Sequence, residues 1–564
     1  MVLNYKRKLH QSAEYIIQGK FQDALNIVDG LLTIKELPND DKTICLLLKC
    51  EIFNKIGEFN SSLKITNEVI TKSKKLDNHT LYDILIQKGE SQWRLGQYLE
   101  HFQTIEKSEL ILNNLKKIPE EPYANRQALL LYHKMVTQFN DGKFQEAYDT
   151  SFRGLDFAEK SKNELTTIWL NYSIANTAYY LDKDKISRRY ITQGQKIAKK
   201  IGNKQEIAYG NHLLAKIYAD NRDLKNAIRL REEAINLNEE IDSKRDTPFI
   251  YNELGIHYRD LLELETALEC FNKYFEIAGE DSFMAHIPLS NIAYTYKLKG
   301  NYEQATQYYL KALKKCEDIG EKERVLPITL YSLANLALEN AQQSKANEYI
   351  DYLNYLTKED PSSYSILLHS LASAQIQKES KRLNAWGKAI NSLNKALEID
   401  DISHYWQVVI LLNLAELLMK ELYFTGEPEV LKEVKDKIDK IIRITQKNDF
   451  HLLLVQAYWL KAQIALAELN SEQAMKFLLK ANEISEEKCL NKLTFDISKE
   501  QEKLETQLNN FQEMLNQKKP LIETLKHLSL VSNIKDITKE ATLEIHQDQK
   551  IDIKKYKKIF DLKF

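Results

Sequence analysis

Residues 291–316 read NIAYTYKLKGNYEQATQYYLKALKKC, with small residues at Ala293, Gly300, Ala305 and Ala312 and large rings at Tyr296, Tyr302 and Tyr309. Such an alternation is what two closely packed helices require: small side chains let the backbones approach, and large ones fill the flanking space. The element to look for elsewhere is therefore a glycine or substitute, an aromatic or Leu two residues on, and a small residue five on. It recurs at Gly19, Gly57, Gly96, Gly142, Asp182, Arg222, Leu262, Gly300 and Ala341, with spacings of 38, 39, 46, 40, 40, 40, 38 and 41 residues. A second small residue stands seven before most markers (Ser12, Cys50, Gly89, Ala175, Ala215, Gly255, Ala293, Ala334), and a third twelve after several (Gly154, Gly194, Ala234, Ala312). Looser copies follow, with Ala389 and Ala396, then Ala462, Ala474 and Ala481.

A period near forty residues predicts a stack of αα-hairpins, in which each unit buries its apolar face only against its neighbours. Punctuation agrees. Pro248 and Pro327 each open the first helix of a unit, where the missing N–H is harmless. Only 16 Gly and 9 Pro occur in 564 residues, which favours long helices over turn-rich sheet. The sequence thus predicts an all-α chain: a right-handed α-α superhelix of about twelve hairpins over residues 1–490, looser near 81–118 and 376–447. His101 occupies a normally small site, and an insertion falls near KESKRLNAWGK (378–388).

On these residues, with YNELGIHYRDLLELETALECF (251–271) and the opening stretch as the best copies, the chain resembles the tetratricopeptide-repeat (TPR) superfamily. Its units, longer than the minimal repeat, are similar to those of kinesin light chains, LGN-type scaffolds and MalT-type sensors. The resemblance implies a superhelix whose concave wall is lined by the first helix of each hairpin, and a role in binding a peptide or partner protein.

After Leu490 the grid ends. Leu504, Leu508, Phe511 and Leu515 share a helical stripe, and Pro520 opens a further helix, so 491–531 is expected to cap the stack. Residues 532–564 form a basic amphipathic tail, with Ile553, Tyr556, Phe560 and Phe564 on one face. Back-folding onto the array, disorder, and contact with a membrane surface or a partner groove through 550–564 all stay open for it.

The chemistry-bearing motifs of phosphate loops, dinucleotide sites, zinc proteases and serine hydrolases are missing, and the 12 histidines stand singly. The expectation is therefore a non-enzyme with no catalytic residues, no cofactor and no metal. A net charge of −2 gives no field for nucleic acid. The five scattered cysteines, and an amino terminus without an apolar run, point to a reducing cytoplasmic setting.

Binding is expected on the first-helix face at Trp169, Tyr172, Asn176, Tyr180, His212, Lys216, Asn252, Arg259, Tyr294, Lys297, Tyr331 and Asn335. Rings and amides at spacings of three or four suit an extended peptide. By the resemblance, Asn176, Asn252 and Asn335 would hold the ligand main chain. Packing of the tyrosines between neighbouring first helices is the competing reading. A ligand-sensing regulator, with the array as sensor, is the alternative function.

Overall fold

The computed structural model describes residues 2–487, except 73–75, 116–118, 182, 221–222, 262, 321–324, 360–361, 379, 381, 400–401, 403, 426, 448–449 and 469. The expected capping helices (491–531) and tail (532–564) lie outside the described residues. Among those described there is no strand, and no helix is long and apolar enough to cross a membrane.

The chain divides into two compact units, up to Tyr308 and from Tyr309 onward. The first contains α1 (Val2–Ile17), α2 (Phe21–Leu32), α3 (Asn39–Ile56), α4 (Phe59–Lys72), α5 (Asn78–Arg94), α6 (Tyr98–Asn114), α7 (Glu120–Asn140) and α8 (Phe144–Ser161). It continues with α9 (Glu164–Tyr180), α10 (Asp184–Ile201), α11 (Lys204–Asp220), α12 (Leu224–Glu239), α13 (Thr247–Asp260), α14 (Leu264–Ala278) and α15 (His286–Leu298). The boundary falls inside α16 (Tyr302–Ile319). The second unit adds α17 (Val325–Glu339), α18 (Gln343–Glu359), α19 (Ser363–Lys378), α20 (Leu383–Leu397), α21 (His404–Thr425), α22 (Pro428–Lys447), α23 (His451–Ala467) and α24 (Ser471–Glu487).

One turn recurs at every marker. The N–H of the residue after it donates to the carbonyl five back: Lys20 to Tyr15 at 2.8 Å, Gln97 to Gln92 at 2.9 Å, Asn301 to Tyr296 at 2.9 Å. This is the Schellman closure of a helix, which calls for a left-handed residue and hence glycine at most copies. The same bond is present where the sequence has no glycine: Lys183 to Ala178, Asp223 to Tyr218 and Glu263 to Tyr258, each at 2.9 Å, and Gln342 to Ala337 at 2.8 Å. Ala341 takes φ 56° to allow it. A further copy joins Asn470 to Ala465 at 2.9 Å, so Ala462, Ala474 and Ala481 keep the register in α23 and α24.

The small positions are the helix crossings. Ser12, Ala24, Ala175, Ala215, Ala227, Ala293, Ala305, Ala334 and Ala346 are all buried. His101 fits because its partner is a glycine: His101 Nδ1 lies 2.9 Å from the Gly89 carbonyl oxygen. A Cβ at Gly89 would come within 2.9 Å of Ile105 Cδ1.

Candidate functional site: an inner cavity of the first unit

The first unit closes on itself. The α1–α2 turn meets the residues before α11, where Asn203 Nδ2 donates to the Ile17 carbonyl at 2.9 Å. The α3–α4 turn meets the residues before α13: Lys244 N–H donates to the Ile56 carbonyl at 3.0 Å, and Gln205 Nε2 to the Lys55 carbonyl at 2.6 Å. Beyond α5, Tyr98 packs edge-on against Phe283, ahead of α15, at 5.8 Å between ring centres. In each case the turn of one hairpin touches the entry to the hairpin five further on. At Gly57 the approach is backbone to backbone, since a Cβ there would lie 3.0 Å from the Arg245 backbone nitrogen and the residue already has φ 95°.

Inside this wall α3, α5, α7, α9 and α11, with Arg245, line a partly open cavity of about 160 Å³. Its charged lining residues are joined, through Asp246 behind the wall, into an alternating chain. Arg94 Nε donates to Glu90 at 3.1 Å and Nη1 to Asp246 at 3.2 Å; Arg245 Nε donates to Asp246 at 2.7 Å and Nη1 to Glu206 at 3.2 Å. Burial works to raise the Asp246 carboxyl, but Arg245 and Arg94 hold it below the ordinary carboxylate range. Glu90 is held low in the same way, against its burial, by Arg94 first and by Lys55.

Trp169 Nε1 donates to Glu206 Oε1 at 3.0 Å and the Tyr172 hydroxyl to the Glu206 carbonyl at 2.8 Å. Lys55 Nζ stands 3.5 Å from the centre of the Trp169 ring, a close cation–π contact. Burial, with Arg245 adding, lowers the Lys55 ammonium to about 8 against the opposing pull of Glu206, Glu51 and Glu90. Burial takes His133 down to about 3, so its imidazole is neutral.

The residues expected on the binding face take several places. Trp169, Tyr172 and Asn176 line the cavity, though Tyr172 is buried with its ring over Gly194, where a Cβ would come within 2.5 Å. Tyr180 stacks on Phe144 at 5.1 Å. His212 lies 2.8 Å from Arg231 Nη1, whose guanidinium also donates to His257 at 2.9 Å and to Glu253 at 2.7 Å. Lys216 sits over Tyr179 and Tyr180 at 4.9 and 5.1 Å. Asn252 accepts from Asn291 at 3.0 Å; Arg259 donates to Asn291 at 3.1 Å and lies 4.9 Å from the buried Tyr294 ring. Lys297 is half-buried on α15. Tyr331, buried, and Asn335, half-buried, belong to α17 in the second unit. The residues expected to bind thus fall in both units, Trp169 to Lys297 in the first and Tyr331 and Asn335 in the second.

Lys55, Glu90, Arg94, Tyr132, His133, Glu206, Tyr209 and Arg245 also wall the cavity and were not singled out from the sequence. Three of them, Lys55, Arg94 and Arg245, sit at or beside the closing contacts. Nothing in a local register marks a residue whose partner is about 150 positions away.

A family profile described as "Tetratricopeptide repeat" matches residues 289–323. No curated protein matches the chain. Among solved structures, the chain is similar to a Rap protein complexed with Competence and Sporulation Factor, at 13% identity and TM-score 0.46, covering 63% of this chain and 98% of that one. It is also similar to the apo form of the quorum sensor NprR from B. thuringiensis (14% identity, TM-score 0.35, covering 79% and 99%). A human IFIT1 dimer with PPP-AAAA gives 16% identity, TM-score 0.43 and coverage of 84% and 95%. The profile's match covers the α15–α16 turn, so a tetratricopeptide repeat stands at residues 289–323, and the hydrogen bond of that turn recurs at every marker from Gly19 to Ala341.

Proposed function

We propose that the protein is a non-enzymatic binding scaffold that recognises a peptide or partner protein through the inner wall of its first unit. One observation carries this reading: the cavity between α3 and α11 is walled by rings and charges that are already fixed by their neighbours. Such preorganisation lowers the ordering cost of binding. Its volume of about 160 Å³ suits a single inserted group, with the rest of a partner lying outside.

The test compares partners retained by the full chain, by Asn176→Trp at the cavity wall, and by Asn335→Ala in the second unit. Partners kept by the wild type and Asn335→Ala but lost by Asn176→Trp support the reading. Equal recovery by all three overturns it.

A specific observation favours the ligand-sensing alternative as well. Lys55 and Arg245 face the cavity and also belong to the contact that closes the unit, so an occupant would bear on that contact. A sensor should change amide exchange at 55–57 and 243–246 when its ligand is added; unchanged exchange at saturation would leave the scaffold reading alone.

A further inference from the structure

Three polar groups in the cavity wall are incompletely partnered. Lys55 is 8% exposed and carries three N–H donors, yet its ammonium sits on the face of the Trp169 ring and, among the described residues, has no carboxylate within 4.0 Å. Glu206 is 1% exposed; its Oε1 accepts from Trp169 and Arg245, while Oε2 has no hydrogen-bond partner. His133 Nδ1, also buried, has none either. Leaving such groups unsatisfied costs about 1–3 kcal/mol each, and more where they are charged. Lys55 and Glu206 line the same small space, so an occupant with an acceptor at one end and a donor close by would complement both.

The remaining wall sets its size and side chain. Ile86, Leu129, Met135 and Val136 present aliphatic surface to the same space. A volume of about 160 Å³ is close to the roughly 150 Å³ of a cavity that takes one benzene ring.

Deepening the reading of this cavity as the recognition site, we infer that it binds an α-amino carboxylate with a short aliphatic side chain. The carboxylate accepts from Lys55 Nζ, the N–H on the adjacent carbon donates to Glu206 Oε2, and the side chain lies against Met135 and Val136. A free amino acid and the last residue of a peptide share this chemistry.

Calorimetry on the full chain at neutral pH separates the possibilities, using L-valine, N-acetyl-L-valine, L-valinamide and isobutylamine as probes. L-Valine or its acetylated form should bind saturably and raise the melting temperature. Valinamide and isobutylamine, which lack the carboxylate, should bind at least about tenfold more weakly. Preference for L-valine assigns the site to a free amino acid, and preference for N-acetyl-L-valine to a peptide terminus. Lys55→Met should lower the affinity by about tenfold or more, and Glu206→Gln should weaken it while keeping an acceptor for Trp169. No binding of either carboxylate probe up to about 10 mM, equal binding of valinamide, or unchanged affinity in Lys55→Met would each overturn the inference and leave a water-filled cavity. The wild-type probe series stands even if a variant fails to fold. Failure of these probes while Asn176→Trp still loses partners would remove this inference and leave the scaffold reading in place.

Discussion

In the first unit the apolar core is divided among several small clusters, whereas in the second one cluster runs from Cys316 to Ala481. The contrast is sharpest on the first helices of the hairpins. In α21, 15 of the 22 residues are buried, and Glu416 alone among them is charged. In the first unit Lys55, Glu206 and Arg259 are buried on first helices, Arg245 and Asp246 are buried just ahead of α13, and Arg231 joins them from a second helix. Buried ion pairs rarely add stability over apolar residues of the same volume. The first unit therefore keeps a polar interior that packing alone would not select, which is what the proposed recognition role would require.

Acid should expose the difference most strongly. His133, His212 and His257 all have their imidazoles lowered, first by burial and then, for His212 and His257, by Arg231. A base with a lowered folded pKa contributes stability that is complete above its unfolded value of about 6.5 and is lost as pH falls toward its folded value, about 3 for His133. Between those limits the first unit should lose several kcal/mol. Asp246 and Glu90, held below their ordinary values, add to the loss at the lower end. Hydrogen exchange along the whole chain would register this as protection failing first in residues below 308. Equal loss in both units would erase the distinction drawn from their interiors.

The next effect belongs to the second unit. Lys378 Nζ donates to Glu416 and to Asn413, both at 2.8 Å, within an otherwise apolar core. Glu416→Ala should cost about 3–5 kcal/mol by leaving the ammonium buried without its counter-charge. The joint change Lys378→Met with Glu416→Leu should be nearly neutral in denaturant titration. A large cost for the double variant would mean that this pair, too, is retained for more than burial.

A smaller effect tests the closure. Gly57→Ala and Gly300→Ala both place a Cβ at positive φ, which alone costs about 1–2 kcal/mol. Only at Gly57 does that Cβ meet another part of the chain, the Arg245 backbone; at Gly300 nothing lies within 4 Å. Gly57→Ala should therefore be the more damaging and should raise amide exchange at 244–246. Equal melting temperatures for the two variants would show that the contact contributes nothing.

Much of the fold was legible because it is written locally. The marker, the small residue seven before it and the small residue five after it lie within a dozen positions, so a single copy such as 291–316 reveals the hairpin. Even where the sequence lacks the glycine, Lys183, Asp223 and Glu263 make the same backbone bond, to Ala178, Tyr218 and Tyr258, so the register holds. The cavity was only half legible. Trp169, Tyr172 and Asn176 could be placed on an inward face by helical spacing alone. Lys55, Glu206 and Arg245 meet because the wall returns after five hairpins, and the return distance is a property of small rotations summed over the stack. No short window of sequence records that sum. Helical spacing likewise does not record that Asn252 and Arg259 are each hydrogen-bonded to Asn291 on the next first helix.

The three closing contacts carry an evolutionary constraint. Repeat proteins ordinarily lengthen or shorten by duplicating or losing one module, and each copy tolerates the change because it consults only its immediate neighbours. Here Ile17, Ile56 and Tyr98 must find Asn203, Lys244 and Phe283. Gain or loss of a single module between α6 and α11 would put all three partnerships out of step at once, so the first unit has a fixed module count where most of its kind are free to vary.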